Sequence, residues 1–586
     1  MLRILKYMQR KDWLFVLCSL VFIVCGVWLD LKMPDYMREI TTLVQTPGSE
    51  MSEILRSGGL MLLCALCSLA ATFVVGFFVA QITAGLAMRL REAVYNKTMD
   101  FSMEEIGHFS TASLITRTTN DIQQIQMFVA MGLQAIVKAP ILAVWAIIKI
   151  AGKSWQWTAV TGGAVGVLMV MLAVVICLVL PKFKRMQKLT DNVNRVMREN
   201  LTGIRVVRAY NAESYQEKKF EKANTELTKT NLFTSRLMSM LFPGMTLIMS
   251  GLTLAIYWVG VYIINGAQIM ERLSIFSDMV VFSSYAMQII MAFMMLVMTF
   301  IILPRAMVSA KRINEVLDAQ TKITDGRITG SELFEQGEIE FKNVSFRYPD
   351  AGEAVLHDIS FTAHRGETVA FIGSTGSGKS TLVNLIPRFY DATEGEILID
   401  GINIKDYTQE ALHNKLGYVP QRAIMFTGSV KSNVAYGDNG RSDNPEMLWK
   451  SIEISQADEF VKQLQNGCDA PVSQGGVNLS GGQRQRLSIA RAIYRRPEIY
   501  IFDDSFSALD YKTDKTLRNA LKKETSGVTT LIVAQRIGTI LNADKIIVLD
   551  EGKIVGQGNH KELLKTCPVY REIAQSQLSK EEIESA

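Results

Sequence analysis

The sequence predicts a multi-domain fold class, in which an all-α transmembrane domain of six helices is followed by an α/β domain of the P-loop type. Three observations predict this. The chain has 586 residues, enough for several domains. Its composition, 48% hydrophobic and 20% charged with a mean hydropathy of +0.16, is apolar for a soluble protein, and the apolar residues are concentrated before about residue 305. A glycine-rich phosphate-binding pattern follows a predicted strand in the more charged second half.

The first half contains six apolar segments long enough to span a bilayer. They lie at about residues 13–31, 58–82, 127–150, 157–180, 236–265 and 275–303. The first is too long for a cleavable signal peptide and lacks a small-residue cleavage site. Arg3, Lys6, Arg10 and Lys11 precede it, which predicts a cytoplasmic N-terminus. An even number of spans returns the chain to the cytoplasm, so we expect a multi-pass plasma-membrane protein with a cytoplasmic soluble domain.

The polar segments between spans two and three and between spans four and five, at about 83–126 and 181–235, are helical in pattern. The outward loops after the third and fifth spans are short. We therefore expect these helices to project beyond the bilayer on the cytoplasmic side.

Charge and cysteine content argue against other classes of protein. A net charge of +5 is small for this length and gives no support to nucleic-acid binding. The seven cysteines include Cys64 and Cys67, whose spacing resembles a redox or metal pair, but no histidine or further cysteine is nearby. We interpret both as small membrane-buried side chains, and no disulfide framework is implied.

Two features of the apolar half have both a structural and a functional interpretation. Lys138 lies inside the third apolar segment, where an ionisable residue is a functional candidate, but it could also extend to the inner headgroups. The sixth span is rich in methionine, which suits either ordinary helix packing or a surface that accepts many apolar shapes. The methionines are Met279, Met287, Met291, Met294, Met295 and Met298.

The second half begins with β patterns, and the strand ETVAFIG leads directly into GSTGSGKST and an apolar helix. This is the G-x-x-x-x-G-K-[ST] pattern in its strand-to-helix context, so it predicts a nucleotide phosphate site. Glycines let backbone N–H groups surround phosphates, and the helix dipole favours their charge. Lys379 should reach the β- and γ-phosphates, and the Ser380 hydroxyl should bind Mg²⁺. The predicted phosphate-binding residues are Gly373, Ser374, Thr375, Gly376, Ser377, Gly378, Lys379, Ser380 and Thr381.

Further motifs follow in a recognisable order: Tyr348 before the glycine-rich loop, Gln421 in YVPQ, LSGGQ, and Asp503 at the end of an apolar strand. Together they resemble the nucleotide-binding domain of an ATP-binding cassette (ABC) transporter. The whole chain resembles a half-size ABC exporter of the bacterial multidrug type, and residues 199–213 resemble its second cytoplasmic loop with a short coupling helix. The domains implied are a six-helix ABC exporter domain at 1–315, a linker at 316–336, an ABC ATP-binding domain at 337–575 and a tail at 576–586.

The resemblance implies roles for these residues, with ATP and Mg²⁺ as cofactors. Tyr348 would stack on adenine, and Ser380, Gln421 and Asp503 would hold the metal ion. The signature residues would act on ATP bound to a partner chain, because each nucleotide in this family lies between one cassette's glycine-rich loop and the other's signature. The signature residues are Leu479, Ser480, Gly481, Gly482 and Gln483.

Two positions tied to hydrolysis depart from the family pattern. Asp503 matches the Asp of the family's Walker B motif. The catalytic Glu that follows it in the family is Asp504 here, and the switch-loop His is Gln535. Asp504 is one methylene shorter, and a misplacement of about 1 Å can cost roughly a hundredfold in rate. Gln535 cannot carry the donor and acceptor pair of an imidazole or become cationic. Gln474, where such exporters often have Glu, is a third departure.

The two departures together predict a subunit of a heterodimeric exporter. This chain would own a degenerate, slow site and would lend an intact signature to a partner half-transporter that carries Glu and His. The complex would hydrolyse ATP and export hydrophobic or amphipathic compounds, drugs or lipids, across the cell membrane by alternating access. Two alternatives remain: a regulatory or gating ATP-binding subunit with little hydrolysis of its own, and a slow homodimeric exporter.

Overall fold

The computed structural model describes residues 3–46, 48–151, 154–330, 337–349, 351–437 and 444–578. It divides into two compact units, one of Met1–Met99 with Ala112–Ala319 and one of Asp100–Thr111 with Gln320–Ala586. Residues 331–336 of the expected linker and 579–586 of the expected tail lie outside the described residues. The domain bounds given above therefore stay predictions.

Ten α-helices occupy the described chain before residue 320. They are α1 (Arg10–Gln45), α2 (Met51–Met99), α3 (Met103–Phe109), α4 (Thr111–Thr116), α5 (Ile122–Ala151), α6 (Trp155–Thr202), α7 (Ile204–Ala209), α8 (Glu213–Ser239), α9 (Leu241–Gly266) and α10 (Ile269–Leu317). Within the described residues, six helical stretches are long and apolar enough to cross a membrane. They contain the six predicted spans, and the short α7 falls inside the expected coupling segment.

These helices are longer than the apolar segments that predicted them. Three of them, α2, α6 and α10, have 48 or 49 residues. The first helix also continues past its expected end near residue 31 to Gln45. Asp35, a charged residue of this extension, contacts two other helices. Its carboxylate lies 2.8 Å from the Lys149 ammonium of α5 and accepts a 2.6 Å hydrogen bond from the Tyr285 hydroxyl of α10. Because these groups are paired, the helix continues without leaving an isolated charge.

The apolar core of this first unit is built from α1, α2, α5, α6, α9 and α10. The largest fully buried side chains there include Tyr285 and Phe282. Trp157 packs on Phe282 and donates its indole N–H to the Ile256 carbonyl at 3.1 Å. Cys64 is buried and Cys67 exposed, and both are free thiols.

The second unit contains twelve strands and ten further helices in its described residues. The strands are β1 (Ile339–Phe346), β2 (Leu356–Ala363), β3 (Thr368–Gly373), β4 (Glu394–Ile399), β5 (Ile402–Asn403), β6 (Leu416–Val419), β7 (Gly428–Ser429), β8 (Pro471–Val472), β9 (Ile499–Asp503), β10 (Thr529–Val533), β11 (Lys545–Asp550) and β12 (Lys553–Gly558). The helices are α11 (Lys379–Leu385), α12 (Gln409–Lys415), α13 (Val430–Val434), α14 (Pro445–Ile454), α15 (Asp458–Gln463), α16 (Gly481–Arg495), α17 (Tyr511–Glu524), α18 (Ile537–Ile540), α19 (His560–Thr566) and α20 (Pro568–Gln577).

A six-stranded sheet in the order β12-β11-β3-β10-β9-β6 forms the centre of this unit. The strands from β11 to β6 are parallel, and β12 is antiparallel to β11. All five residues of β9 are buried, as expected for a parallel strand covered on both faces. A separate antiparallel sheet has the order β2-β1-β4-β5. Parallel strands end at one common edge, so β3, β9 and β10 deliver their following residues to the same crevice.

Lys415, which directly precedes β6, forms ion pairs with Asp400 and with Glu498, which directly precedes β9. Its ammonium lies 2.9 Å from Asp400 and 2.5 Å from Glu498, and the Asp400 and Lys415 side chains are 0% and 6% exposed. Lys415→Ala would leave the Asp400 carboxylate buried without its cation, which typically costs about 3–5 kcal/mol. For a domain of this size we expect the melting temperature to fall by roughly 6–20 °C, measured on the full chain in nanodiscs.

The matched control is Lys342→Ala, because Lys342 forms an exposed pair with Glu340 at 3.1 Å. Exposed pairs contribute about 0–1 kcal/mol, so this variant should melt close to wild type. Equal melting temperatures for the two variants would contradict a stabilising role for the buried cluster.

Candidate functional site

The loop between β3 and α11 is shaped by glycines that no other residue could replace without movement. A Cβ on Gly373 would lie 1.9 Å from the Leu549 carbonyl oxygen. Gly378, with φ +93°, is the residue before α11, and its Cβ would meet Leu356 at 2.7 Å. Ser374, Thr375 and Gly376 are exposed at the tip of the loop, as a surface that receives phosphates requires.

Lys379, the first residue of α11, lies inside this loop. Its ammonium donates to the carbonyls of Gly373 at 3.0 Å and Ser374 at 2.7 Å, and to the Ser377 hydroxyl at 3.2 Å. Burial lowers the pKa of Lys379, while the nearby carboxylates of Asp504 and Asp503 oppose that shift. The loop thus holds a cation among backbone groups, where it can reach phosphate oxygens.

Ser380 and Asp503 meet at the carboxyl edge of the sheet. The Ser380 hydroxyl donates to Asp503 Oδ1 at 2.8 Å, although 123 residues separate them. Both are hard oxygen ligands, and their separation is close to the roughly 2.9 Å between neighbouring ligands of an octahedral Mg²⁺. The described chain has no group of three or more Asp, Glu, His and Cys residues placed to hold a metal. The pair therefore fits Mg²⁺ that takes its other ligands from phosphates and water, rather than a metal ion caged by protein.

Asp504 is held by two amides. Its Oδ2 accepts a 2.8 Å hydrogen bond from the Gln535 amide and a longer one, 3.4 Å, from Gln421. The backbone of Asp504 is left-handed, with φ 48°, and its N–H donates to the Val533 carbonyl at 3.0 Å. Because β9 and β10 pair with Asp503 opposite Val533, both strands release their next residues side by side. The structure therefore joins the two unusual positions directly.

Burial raises the pKa of both neighbouring carboxyls. For Asp503 the Ser380 hydrogen bond opposes this rise, while the Asp504 charge adds to it. For Asp504 the hydrogen bonds from Gln421 and Ser507 oppose it. A raised pKa by itself would favour a general base, but a base must first reach its proton. One Asp504 oxygen already accepts a hydrogen bond from the Gln535 amide, so the position of this carboxylate argues against a role as general base.

Tyr348 follows β1 and lies beside the phosphate loop. Its hydroxyl hydrogen-bonds the Thr381 hydroxyl at 3.1 Å, and its ring packs edge-to-face on Tyr390 with 5.3 Å between centroids. Both tyrosines line a cavity of about 310 Å³ together with Arg347. The sequence motifs predicted Tyr348 as a site residue but not Tyr390, because no motif includes Tyr390. A flat aromatic beside the loop can stack on a base.

The signature residues form the start of α16. Ser480 caps this helix: its hydroxyl accepts from the Gln483 N–H at 3.2 Å, and the Gln483 side chain accepts from the Ser480 N–H at 2.8 Å. Leu479 is buried among α13 to α16. A Cβ on Gly481 would meet nothing within 4 Å, and one on Gly482 would lie 3.4 Å from the Ala508 carbonyl. This helix start is thus open to an outside anion.

The structure brings some predicted site residues together and leaves others apart. Lys379, Ser380, Asp503, Asp504 and the amides facing Asp504 form one site at the ends of β3, β9 and β10. Among the described residues no hydrogen bond joins the signature to residues 373–381. Gln474 lies in a 3₁₀ turn before the signature. Among the described residues, its side chain forms no hydrogen bond with the signature or with residues 373–381.

Comparisons with known proteins find matches along both halves of the chain. A model of the ABC transporter transmembrane region matches residues 16–293, and a model described as ABC transporter matches residues 356–507. An uncharacterized ABC transporter ATP-binding protein of Mycobacterium bovis is 41% identical over 538 residues, covering 89% of each chain. One of Bacillus subtilis is 36% identical over 535 residues, covering 90% of each. The ATP-dependent lipid A-core flippase of Pseudomonas aeruginosa is 32% identical, covering 86% of this chain and 82% of its own.

A solved structure supports the fold. A bacterial Atm1-family ABC exporter with ATP bound superposes with a TM-score of 0.82 at 24% sequence identity, covering 97% of this chain and all of the other. At this identity the likeness speaks for the fold alone. It confirms the predicted fold class of six membrane helices followed by an α/β domain.

Proposed function

Because this chain belongs to the ABC transporter family, as a half-size exporter in the plasma membrane with a cytoplasmic ATP-binding domain, we propose that it works as the slow member of a heterodimer. Its own site would bind Mg-ATP and hydrolyse it poorly. Its signature would complete the competent site of a partner chain that carries the catalytic Glu and the switch His. The complex would export hydrophobic or amphipathic compounds by alternating access.

The observation that carries this proposal is the hydrogen bond from the Gln535 amide to Asp504 Oδ2 at 2.8 Å. A catalytic carboxylate must face the attacking water, and a switch residue must face the γ-phosphate. Here each group is engaged with the other. The amide donor also holds the Asp504 carboxylate in place, away from a water that it would have to deprotonate.

The remaining residues support nucleotide binding. The loop at 373–381 would surround the phosphates, Lys379 would reach the β- and γ-phosphates, and Tyr348 would stack on adenine. Ser380 and Asp503, with Gln421 nearby, would hold Mg²⁺, which neutralises phosphate charge when bound. All the binding groups are present, whereas the two groups that act on water differ from the family pattern. Retention of ATP is the behaviour that this combination supports.

The class of transported compound is proposed from the membrane unit. Several methionine side chains of α10, including the exposed Met291 and Met295, offer flexible apolar contacts. One relative is named for flipping a lipid, lipid A-core. Both point to an apolar or amphipathic cargo, with membrane lipid as the surrounding partner.

Nucleotide retention tests the proposal directly. The assembled complex is allowed to turn over with 8-azido-ATP labelled on either the α- or the γ-phosphate, and is then photolysed so that each chain keeps its own label. We expect this chain to keep both labels through many cycles at the partner's site, because its phosphates stay uncleaved. The partner should keep only the α-label.

Lys379→Ala is the control, since it removes the phosphate ligand and should abolish both labels on this chain. Loss of the γ-label from this chain as fast as from its partner would overturn the slow-site proposal. Robust ATP hydrolysis by the purified chain alone would favour a homodimeric exporter. Retention of ATP without any transport by the complex would favour a gating subunit.

A further inference from the structure

The C-terminal end of α20 contacts the switch loop, residues 534–536, which joins β10 to α18. The contact is made by one side chain, Gln577. Its side-chain oxygen accepts a 2.8 Å hydrogen bond from the Ile537 backbone N–H, and its amide donates to the Gln535 backbone carbonyl at 2.9 Å. A single residue of α20 therefore holds the backbone on both sides of Arg536.

A primary amide suits this contact, because it carries an acceptor and a donor side by side. Ile537 begins α18, so its N–H has no partner within that helix, and Arg536 supplies no side-chain cap. A reversed amide would set donor against donor and acceptor against acceptor, which fixes the orientation of the Gln577 side chain. Gln577 thus caps the start of α18 from another helix.

The buried face of α20 anchors this helix. Tyr570 and Ala574, which lie four residues apart on that face, are 0% exposed and pack in one cluster with Ile537 and with residues of β3 and β11. The Tyr570 hydroxyl also lies 2.6 Å from Nδ1 of the buried His560. Gln577 follows Ala574 by three residues and extends from the same side of the helix. Since packing fixes the helix, the helix can fix the switch loop.

The backbone that Gln577 holds carries the side chain that contacts Asp504. The Gln535 amide donates to Asp504 Oδ2 at 2.8 Å, while the Gln535 backbone carbonyl accepts from Gln577. Three residues from separate parts of the chain therefore form one series of hydrogen bonds. Gln535 is exposed, so burial does not fix its side chain, and its contact with Asp504 depends on how its backbone is held.

We propose that Gln577 is a positioning residue, which holds the switch loop so that the Gln535 amide stays on Asp504. Gln577 acts through the loop backbone and not on the nucleotide itself. Releasing the loop would free the Asp504 carboxylate to approach water, so this contact restrains hydrolysis. The inference rests on the proposed slow site and adds to it a residue outside the nucleotide site that keeps hydrolysis slow.

Hydrogen exchange of the full chain in nanodiscs tests the contact without a partner chain. Gln577→Ala removes both hydrogen bonds and should speed exchange of the Ile537 amide about tenfold. Exchange in β11 and α19 should stay as in wild type, because alanine favours the helix and the buried face of α20 is unchanged. The matched control is Gln575→Ala, since Gln575 is exposed on the same helix and its side chain forms no hydrogen bond within the described residues.

Loss of the γ-label measures the consequence for hydrolysis in the assembled complex, photolabelled with 8-azido-ATP on the α- or the γ-phosphate. We expect this chain to lose the γ-label severalfold faster in Gln577→Ala than in wild type or Gln575→Ala, and to keep the α-label. A merely structural defect would instead weaken ATP binding and lower both labels together.

Gln577→Glu separates the two hydrogen bonds. Its carboxylate still accepts from the Ile537 N–H, so α18 stays capped, but it cannot donate to the Gln535 carbonyl and repels that oxygen. We expect this variant to lose the γ-label as fast as Gln577→Ala, although the Ile537 amide exchanges more slowly than in Gln577→Ala. A wild-type rate of γ-label loss in Gln577→Glu would contradict the role assigned to the bond with Gln535.

Unchanged exchange of the Ile537 amide in Gln577→Ala would overturn the inference, and so would faster exchange that spreads through β11 and α19. Unchanged or slower loss of the γ-label in this variant would also refute it, since Gln577 would then hold the loop without positioning Gln535. These results leave the proposed slow site standing as long as wild type keeps its γ-label. Rapid loss of the γ-label from wild type would refute the slow site itself and this inference with it.

Discussion

Gly481→Asp in this chain is expected to lower ATP hydrolysis by the assembled complex about a hundredfold or more, because the added carboxylate opposes the charge stabilisation that the N–H groups at the start of α16 would supply to the partner's site. Gly481 begins α16 with open space around its Cβ position, so the aspartate would fit without unfolding the helix. Its carboxylate would then face the γ-phosphate of the partner's ATP, and like charges repel. Steady-state phosphate release by wild-type and variant complexes measures the effect.

The matched variant is Asp504→Asn, which removes an acid already engaged by the Gln535 amide at 2.8 Å. If this site hydrolyses ATP as slowly as proposed, the isosteric amide should cost less than about tenfold, since a poorly placed base contributes little. If Asp504→Asn proves as damaging as Gly481→Asp, Asp504 is a working catalytic base and the slow-site proposal fails. Gly481→Ala, which adds only a methyl group, separates the effect of charge from that of size.

Replacing Asp504 and Gln535 by the residues of the family pattern should convert the proposed slow site into a working one. Asp504→Glu moves the carboxylate forward by about 1 Å, the scale on which positioning changes rates by roughly a hundredfold. Gln535→His removes the amide that holds the carboxylate and supplies an imidazole beside the γ-phosphate. We expect the double variant to hydrolyse ATP on this chain at least about tenfold faster than wild type, measured as loss of the γ-label from the photolabelled chain.

The two single variants complete a double-mutant cycle. Because Asp504 and Gln535 are in direct contact, their effects should not add, and the double variant should exceed the product of the two single gains. Additive gains would indicate that the hydrogen bond between them does not restrain the carboxylate. No gain in any variant would contradict the proposal that Asp504 and Gln535 limit hydrolysis at this site.

Several features of the site could be predicted from local sequence because the chemistry itself is local. The loop at 373–381 needs its glycines and Lys379 in one short run, since consecutive backbone N–H groups surround a phosphate. Ser480 and Gln483 cap a helix at a spacing of three residues, which a sequence shows directly. Tyr390, by contrast, contacts Tyr348 from a separate part of the chain, and no local pattern reveals it.

The membrane helices also combine a feature that local sequence predicts with one that depends on distant residues. Apolar runs long enough for a bilayer identified all six spans, because hydrocarbon thickness sets a minimum length. The continuation of α1 to Gln45 was missed, since Asp35 reads as polar and its partners Lys149 and Tyr285 lie far away in the chain. Hydropathy counts residues one at a time and cannot represent paired charges.

By itself, the sequence determined the fold class and the six spans, and it predicted the phosphate loop and the departures from the family pattern at Asp504 and Gln535. Tertiary structure alone decided that these two residues touch each other, because the parallel register of β9 and β10 places Asp503 beside Val533. It also decided that Lys138 meets Asp30 across 108 positions of the chain. Local patterns record what each residue can do, whereas hydrogen bonds and ion pairs form between whichever residues the packing of strands and helices brings within about 3 Å.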